Sequence, residues 1–516
     1  RIEKLGYDQV LHRGLSAFSN FAFGFTEVAV LASFTSQYGY GLQTGGSAVI
    51  FWGFVTIFIM STIVSYSMAE ICSAYPSAGS VYHWSAQLVP VKYAPLASYI
   101  CGWFNFLGNA AGDASFAFFF AQYFNSAIQV SGGKPYYDDA SDVENNTVGI
   151  SIAVILVWSL LNVFRVDQVG WINNVAAACH AGGILIIIIA LLTMPDNLNT
   201  GSFVFTEYVN DTGFSDKSYV VVIGLLTGMY SFAGYEASAH MAEETGHGST
   251  AAPKGIINTV LATGLGGIVF ILALLYSTTD VEAALSGPTN NAATNVFISS
   301  CGPKMGQFMT WIVLINIFFA GISSVAVTGR ITFSLMRDNA FPYGEFFSQV
   351  HPVYKSPVNS ILFVFVIDCF LQLLPLIPKN GDTAFESIVG LSTIGFQVSY
   401  ALPILLKLVF NPADFPHTVM ALGAWSFPLG VISCIWLFGS SFFFFLPTLR
   451  PVTNSNMNWL TVVMAGVFLL CTANWYFNSQ YTFKGPRRHD TTADTTTSTE
   501  QIDLEMEKII KIERLK

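Results

Sequence analysis

The recurrence of long, uncharged apolar stretches constrains this chain more than any other feature. Residues 46–70, GSAVIFWGFVTIFIMSTIVSYSMAE, reach their first ionised side chain only at Glu70. A helix needs about 20 mostly apolar residues to cross a bilayer, and inside it every backbone polar group must be paired within the segment. By this criterion twelve segments emerge, at 14–36, 46–70, 94–128, 148–165, 171–194, 219–241, 255–277, 306–334, 357–378, 385–408, 420–447 and 457–478. The third and eighth exceed what a bilayer requires, which predicts tilt or an interfacial extension. Only 10% of residues are charged, against roughly 25% in soluble domains. The expected fold class is therefore an all-α integral membrane protein with twelve transmembrane helices, crossing the plasma membrane or a vacuolar or other endomembrane.

Charge placement orients the spans. With a cytoplasmic N-terminus, 17 basic residues fall inside and only Lys134, Lys217, Lys304, Lys379 and Arg450 fall outside, as the positive-inside rule favours. The two N-x-S/T sequons, at Asn145 and Asn210, then lie in external loops and are candidate glycosylation sites. Residues 1–13 form a mixed polar cytoplasmic segment with no signal-peptide pattern. The tail from 481 to 516 is also cytoplasmic, with a Thr-rich linker at 489–500 and a short helix at 501–516 carrying Ile502, Met506, Ile509 and Ile510 on one face. That helix is either simply solvated or a regulatory docking element.

Several function classes are excluded early. The net charge of −10 and the lack of a basic stripe argue against nucleic-acid binding. Seven cysteines show no ligand spacing, and only Cys301 falls in an expected external loop, so neither a disulfide framework nor a zinc site is expected. No Walker motif and no nucleophile–base constellation is present, which predicts neither an enzyme nor a cofactor.

Two spans carry what a plain lipid-facing helix would not tolerate. The first contains Gly24-Phe25-Thr26-Glu27 and the sixth Phe232-Ala233-Gly234-Tyr235-Glu236. Glycine weakens a helix, and an intramembrane carboxylate costs about 2.5 kcal/mol or more unless paired. Interrupted helices at matching places in two halves point to a central transport site. The third span stacks Asn105, Asn109 and Asp113 on one face, beside the small-residue pair Gly108 and Gly112. These polar groups either serve the site or bond neighbouring helices. Glu27, Asp113, Glu236 and Asp368 lie deep in spans, whereas every Lys and Arg sits in a loop or at a span end. Such carboxylates must be protonated or meet a cation, which a cationic or zwitterionic substrate or a transported proton would supply. Asp368, with Gln372 one turn on, also reads as an interhelical contact. His180 in the fifth span is either a proton-exchanging group or a packing residue. Ser323 and Ser324 in the eighth either coordinate Na⁺ or back-bond their own helix.

Three motifs carry a resemblance. Met68-Ala-Glu70-Ile-Cys-Ser-Ala-Tyr75-Pro76-Ser-Ala-Gly79-Ser80 resembles an amino acid permease signature, with Ile71 and Ser80 departing from it. Gly234-Tyr235-Glu236-Ala-Ser-Ala-His240-Met-Ala-Glu243-Glu244 is similar to a second motif, with Glu236 where Asp is expected, and Arg330 to Pro342 resembles a third. Together they resemble the amino acid–polyamine–organocation superfamily, specifically its amino acid/choline transporter family, which includes fungal choline and 4-aminobutyrate permeases. The resemblance implies a LeuT-type fold with two inverted five-helix repeats, here 14–194 and 219–408, plus two extra helices at 420–447 and 457–478. It places a small amino acid or amine between the broken first and sixth helices, at Gly24, Phe25, Thr26, Glu27, Phe232, Gly234, Tyr235 and Glu236. Asn109 and Asp113 are added to these from the polar face of the third span. The expected activity is secondary-active import by alternating access, coupled to H⁺ through His180 or to Na⁺ through Ser323 and Ser324. A substrate-sensing receptor and a channel are the rival readings.

Overall fold

The computed structural model describes residues 14–487 except 133–139, 165, 377–380, 411–414, 417 and 454–455. The N-terminal segment 1–13, the Thr-rich linker and the predicted tail helix lie outside the described residues. In chain order the helices are α1 (Ala17–Val28), α2 (Val30–Gln43), α3 (Gly46–Ala74), α4 (Ser80–Gln87), α5 (Ala94–Val130), α6 (Ala140–Asn162) and α7 (Val166–Thr193). There follow α8 (Gly201–Thr206), α9 (Lys217–Gly224), α10 (Leu226–Met229), a 3₁₀ turn (Tyr230–Phe232), α11 (Ala237–His240), α12 (Gly248–Ser277) and α13 (Val281–Leu285). The chain continues through α14 (Ala292–Arg337), α15 (Gly344–Phe347), α16 (Val358–Gln372), α17 (Gly381–Phe410), α18 (Ser426–Phe443) and α19 (Leu460–Asn474). Among the described residues there is no β-strand, only isolated bridges.

Among the described residues nine helical segments are long and apolar enough to cross a membrane, and Asn146–Asn162 and Val358–Gln372 are shorter apolar helices. This is an integral, multi-pass membrane protein. Each of the twelve apolar segments overlaps one or more of the helices just given. The 37-residue α5 is long enough to span but is diluted by Asn105, Asn109 and Asp113.

Three boundaries differ from the sequence reading. The first helix breaks at Ala29, which takes φ +43° and ψ +56°, and not at Gly24-Phe25. Left-handed geometry costs a non-glycine residue about 1–2 kcal/mol, so packing around the break imposes it. Cys301 lies on helix, since Asn291 caps residues 292–301 by accepting the Thr294 N–H at 2.9 Å and the chain turns only at Gly302. Asn145 falls on α6, which begins eight residues before the predicted span, so its sequon is helical rather than in a loop; the Asn145 side chain lies outside the described residues, and Thr147 is buried. Asn210 is in an exposed loop, where its side-chain oxygen accepts from the Thr212 N–H at 3.1 Å.

Helix α5 is the centre of the packing, touching α4, α6, α14, α16 and α17. Its closest approach is to α17. A Cβ added at Gly395 would stand 2.5 Å from the Gly108 backbone, so the two helices meet backbone to backbone at Gly108 and Gly395. Small residues permit such contact where no hydrophobic force drives helices together. At the edge, α19 buries little of its surface against the rest of the protein.

The connecting segments gather at two ends. At one, the Asp211 N–H donates to Gln43 O at 3.0 Å and the Arg450 N–H to Thr212 O at 2.8 Å. At the other, the start of α1 and the residues after α11 pair in parallel, Leu15 N–H to Glu244 O and Gly246 N–H to Leu15 O, both 3.0 Å.

Candidate functional site

The break at Ala29 and the interruption of the sixth span meet in the middle of the protein. The sixth span unwinds after the 3₁₀ turn: Ala233 is extended and Gly234 has φ +87°. Its N–H donates to the Tyr400 hydroxyl at 3.0 Å. A Cβ at Gly234 would lie 3.0 Å from Glu27 Oε1, so the carboxylate at the end of α1 rests on the bare backbone of the opposite break. Glu27 is buried, and its Oε2 has no hydrogen-bond partner. With Val28, Gly112, Phe116, Tyr230, Ala233, Gly234, Ser324 and Phe396 it lines a cavity of about 10 Å³, barely room for one water. The arrangement is closed.

Glu236 heads a second cluster. It accepts from Asn105 Nδ2 at 3.0 Å and from the Tyr400 hydroxyl, while His240 Nε2 stands 3.9 Å away. Tyr235 lies against Tyr400 with ring centroids 4.9 Å apart, and Phe232 packs on Phe54 at 5.2 Å. Phe232, Tyr235, Gln397 and Tyr400 line a neighbouring cavity of about 20 Å³ between α3, α17 and α18.

The remaining predicted residues divide. Gly24 is helical and faces Thr259 of α12 and Ser238 of α11, where a Cβ would stand 2.7 and 3.0 Å from their hydroxyls; it packs α1 and does not break it. Phe25 meets the edge of His180 at 4.8 Å, and Thr26 Oγ1 is buried without a partner. Asn109 donates back to Asn105 O at 2.9 Å. Asp113 lies fully buried beside Ser324 and Thr328, with both oxygens unpaired. His180 Nδ1 is 2.9 Å from Asn316 Oδ1, and Ser323 donates to Asn173 Oδ1 at 2.6 Å. His180 and Ser323 therefore share the seam between α7 and α14, whereas Ser324 faces the cavity.

The sequence reading missed Tyr400, whose hydroxyl joins Gly234 to Glu236, and Tyr230, which lines the cavity with its own hydroxyl unpaired. The polar series Ser392, Thr393, Gln397, Ser399 and Tyr400 in the tenth apolar segment was the available signal.

The three sequence motifs converge at one end of the bundle. Glu243 Oε1 accepts the Ala78 N–H at 2.9 Å, and Arg330 Nε donates to Glu244 at 2.9 Å with both side chains buried. Tyr82 donates to Asp338 at 2.5 Å, and Lys407 pairs with Glu70. In the α4 segment, burial pushes the His83 imidazole down to about 4 against the opposing pull of the Arg487 carbonyl. His83 is thus neutral at physiological pH, and the contact it makes with the chain after α19 is not a protonation switch there.

The amino acid permease family model matches residues 15–468. Amino-acid permease BAT1 of Arabidopsis thaliana is 32% identical over 496 residues, covering 94% of this chain and 95% of that protein. The chain belongs to the amino acid permease family. Its homolog in Oryza sativa is likewise 32% identical over 94% of this chain and 95% of its own length. Amino-acid permease 2 of Neurospora crassa is 26% identical, over 95% of this chain and 89% of its own. The permease is an amino acid transporter and not an enzyme, and its motif-bearing segments are those that meet at Ala78, Glu243, Glu244 and Arg330.

Proposed function

We propose that this permease imports a small amino acid or related amine, such as 4-aminobutyrate or choline, by alternating access on a LeuT-type scaffold of twelve spanning helices. The carrying observation is the apposition of two interrupted helices, with Glu27 at one break resting on Gly234 at the other. In this reading the substrate's cationic group pairs with Glu27, and a carboxylate, if present, takes backbone N–H groups at the broken ends. The breaks fall in the first helix of each proposed repeat, 14–194 and 219–408. The ends bearing Arg330, Lys407 and Glu244 face the cytoplasm, and the protein resides in the plasma membrane or an endomembrane such as the vacuole.

Transport is driven by H⁺, with His180 exchanging a proton on the seam between α7 and α14. An imidazolium and a Na⁺ near Ser323 and Ser324 would repel each other in so small a space. The test is uptake of labelled amino acids, 4-aminobutyrate and choline into proteoliposomes under imposed pH or Na⁺ gradients, with His180→Ala alongside. Saturable uptake with counterflow that follows the pH gradient is expected, and His180→Ala should lose that dependence. Binding without uptake would favour a sensor, non-saturating flux a channel, and uptake that follows Na⁺ alone a Na⁺ symporter.

A further inference from the structure

Asp113 and Asp368 lie where α5, α14 and α16 meet. Both are fully buried, and none of their four carboxyl oxygens has a hydrogen-bond partner. They are close enough for the charge on Asp113 to act on Asp368. One turn from each, Asn109 Oδ1 and Gln372 Oε1 are also buried and unpaired. Their amide nitrogens are engaged, Asn109 to Asn105 O at 2.9 Å and Gln372 to Ala114 O at 2.6 Å. The Gln372 contact ties α16 to the α5 residue next to Asp113. Every unpaired atom of these four side chains is therefore an acceptor.

The groups facing the pair supply no positive charge. Glu27 from α1 and Tyr230 from the 3₁₀ turn interact with Asp113, Ser324 and Thr328 of α14 lie beside it, and Cys369 neighbours Asp368 on α16. On α17, Tyr400 is engaged with Glu236 and Lys407 with Glu70. The described side chains of α6, which also packs on α16, include no titratable group. Among the described residues neither aspartate forms an ion pair. The Gln372 bond to Ala114 brings the two aspartates to the same level of α5 and α16, and two buried carboxylates so placed in a dry site without a cation cannot both ionise.

We propose that Asp113 and Asp368 are a proton-binding pair that shares one exchangeable proton and carries it through the transport cycle. Access runs through the cavity lined by Glu27, Gly112 and Ser324, which abuts Asp113. When that cavity opens to the side of higher proton concentration, one H⁺ joins the pair. When it opens to the other side, the water it admits solvates both carboxylates and lets them ionise together, so the same H⁺ leaves and the carboxyls end the cycle unchanged. The inference rests on the proton-driven reading above and adds a carboxylate-borne proton distinct from that of His180.

The test uses the full chain in lipid vesicles and two readouts. Infrared spectroscopy at neutral pH should show carbonyl absorption of protonated carboxyl groups, shifted in D₂O, and Asp368→Asn and Asp113→Asn should each lose the same component band. In each variant the introduced amide donates to the remaining carboxylate and removes the need for the proton. Asp368→Glu, which keeps the carboxyl, should retain the band and guards against reading misfolding as loss. In transport, Asp368→Asn should still exchange substrate across the membrane but fail to concentrate it under a pH gradient. A band unaffected by either Asn substitution overturns the pair, as does an Asp368→Asn protein that concentrates substrate like the wild type. Wild-type uptake that ignores the pH gradient overturns the proton-driven reading instead, and is separable because the infrared band does not depend on transport.

Discussion

Replacing Glu27 by Gln isolates the charge at the meeting point of the two breaks. The amide keeps the shape of a side chain whose Oε1 borders Gly234 and whose Oε2 has no partner in the protein, so no native hydrogen bond made by Oε2 is lost. The Glu236 and Asp113 carboxyls act on Glu27 from nearby, and an amide takes one acidic group out of that buried cluster. Folding stability should therefore hold or rise. Substrate binding should not. A hydrogen bond to a charged group contributes about 1.5–3 kcal/mol, which corresponds to roughly 10- to 150-fold in affinity. The assay is equilibrium binding to purified wild-type and Glu27→Gln protein of matched size-exclusion profile and melting temperature. An analogue of the substrate lacking its amino group serves as control and should bind both proteins alike. Unchanged affinity for the parent substrate in the folded variant would refute the pairing and return Glu27 to packing or proton handling.

Other outcomes follow from the packing. Gly395→Leu should lower the melting temperature by forcing α5 and α17 apart, since even a Cβ there would sit 2.5 Å from Gly108; overpacking costs about 1–3 kcal/mol, and an unchanged melting temperature would contradict the backbone contact. Arg330→Gln should destabilise by about 3–5 kcal/mol because it strands the buried Glu244; the double variant Arg330→Met, Glu244→Met should recover most of that in thermal unfolding, and no recovery would argue against the pair. Expressed in a eukaryotic host, the protein should shift in gel mobility on glycosidase treatment, and Asn210→Gln should abolish the shift; protease cleavage of the tail from outside intact cells would reverse the orientation.

The spans were legible because run length is a direct consequence of bilayer thickness and needs no knowledge of neighbours. Glu27 and Glu236 were legible for a related reason, since an ionisable group inside an apolar run has to be explained. The break at Ala29 was not. Gly24 carried the helix-weakening signature, yet its missing Cβ serves the contact with Thr259 and Ser238, while tertiary packing drives an alanine into the left-handed region. Gly108 announced close packing, but its partner Gly395 lies 287 positions away and nothing local couples them. Tyr400 was hidden among 21 tyrosines; only the three-dimensional approach of α17 to Gly234 and Glu236 separates it from the rest. Asn105 read as either a site residue or an interhelical bond, and its contact with Glu236 supplies the interhelical bond.

The pairing of Leu15 with Glu244 and Gly246 bears on how the permease can move. Asn20 adds to it, donating to Ser238 O at 2.8 Å and Thr245 Oγ1 at 2.9 Å, while Ser238 returns a bond to Asn20 O at 3.2 Å. Five hydrogen bonds thus stitch α1 to α11 and the turn that follows it. Segments joined in this way behave as one piece, not two. Because Glu244 also holds Arg330 on α14, one residue carries both attachments: its backbone carbonyl ties the start of α1 to the turn after α11, and its side chain ties that turn to α14.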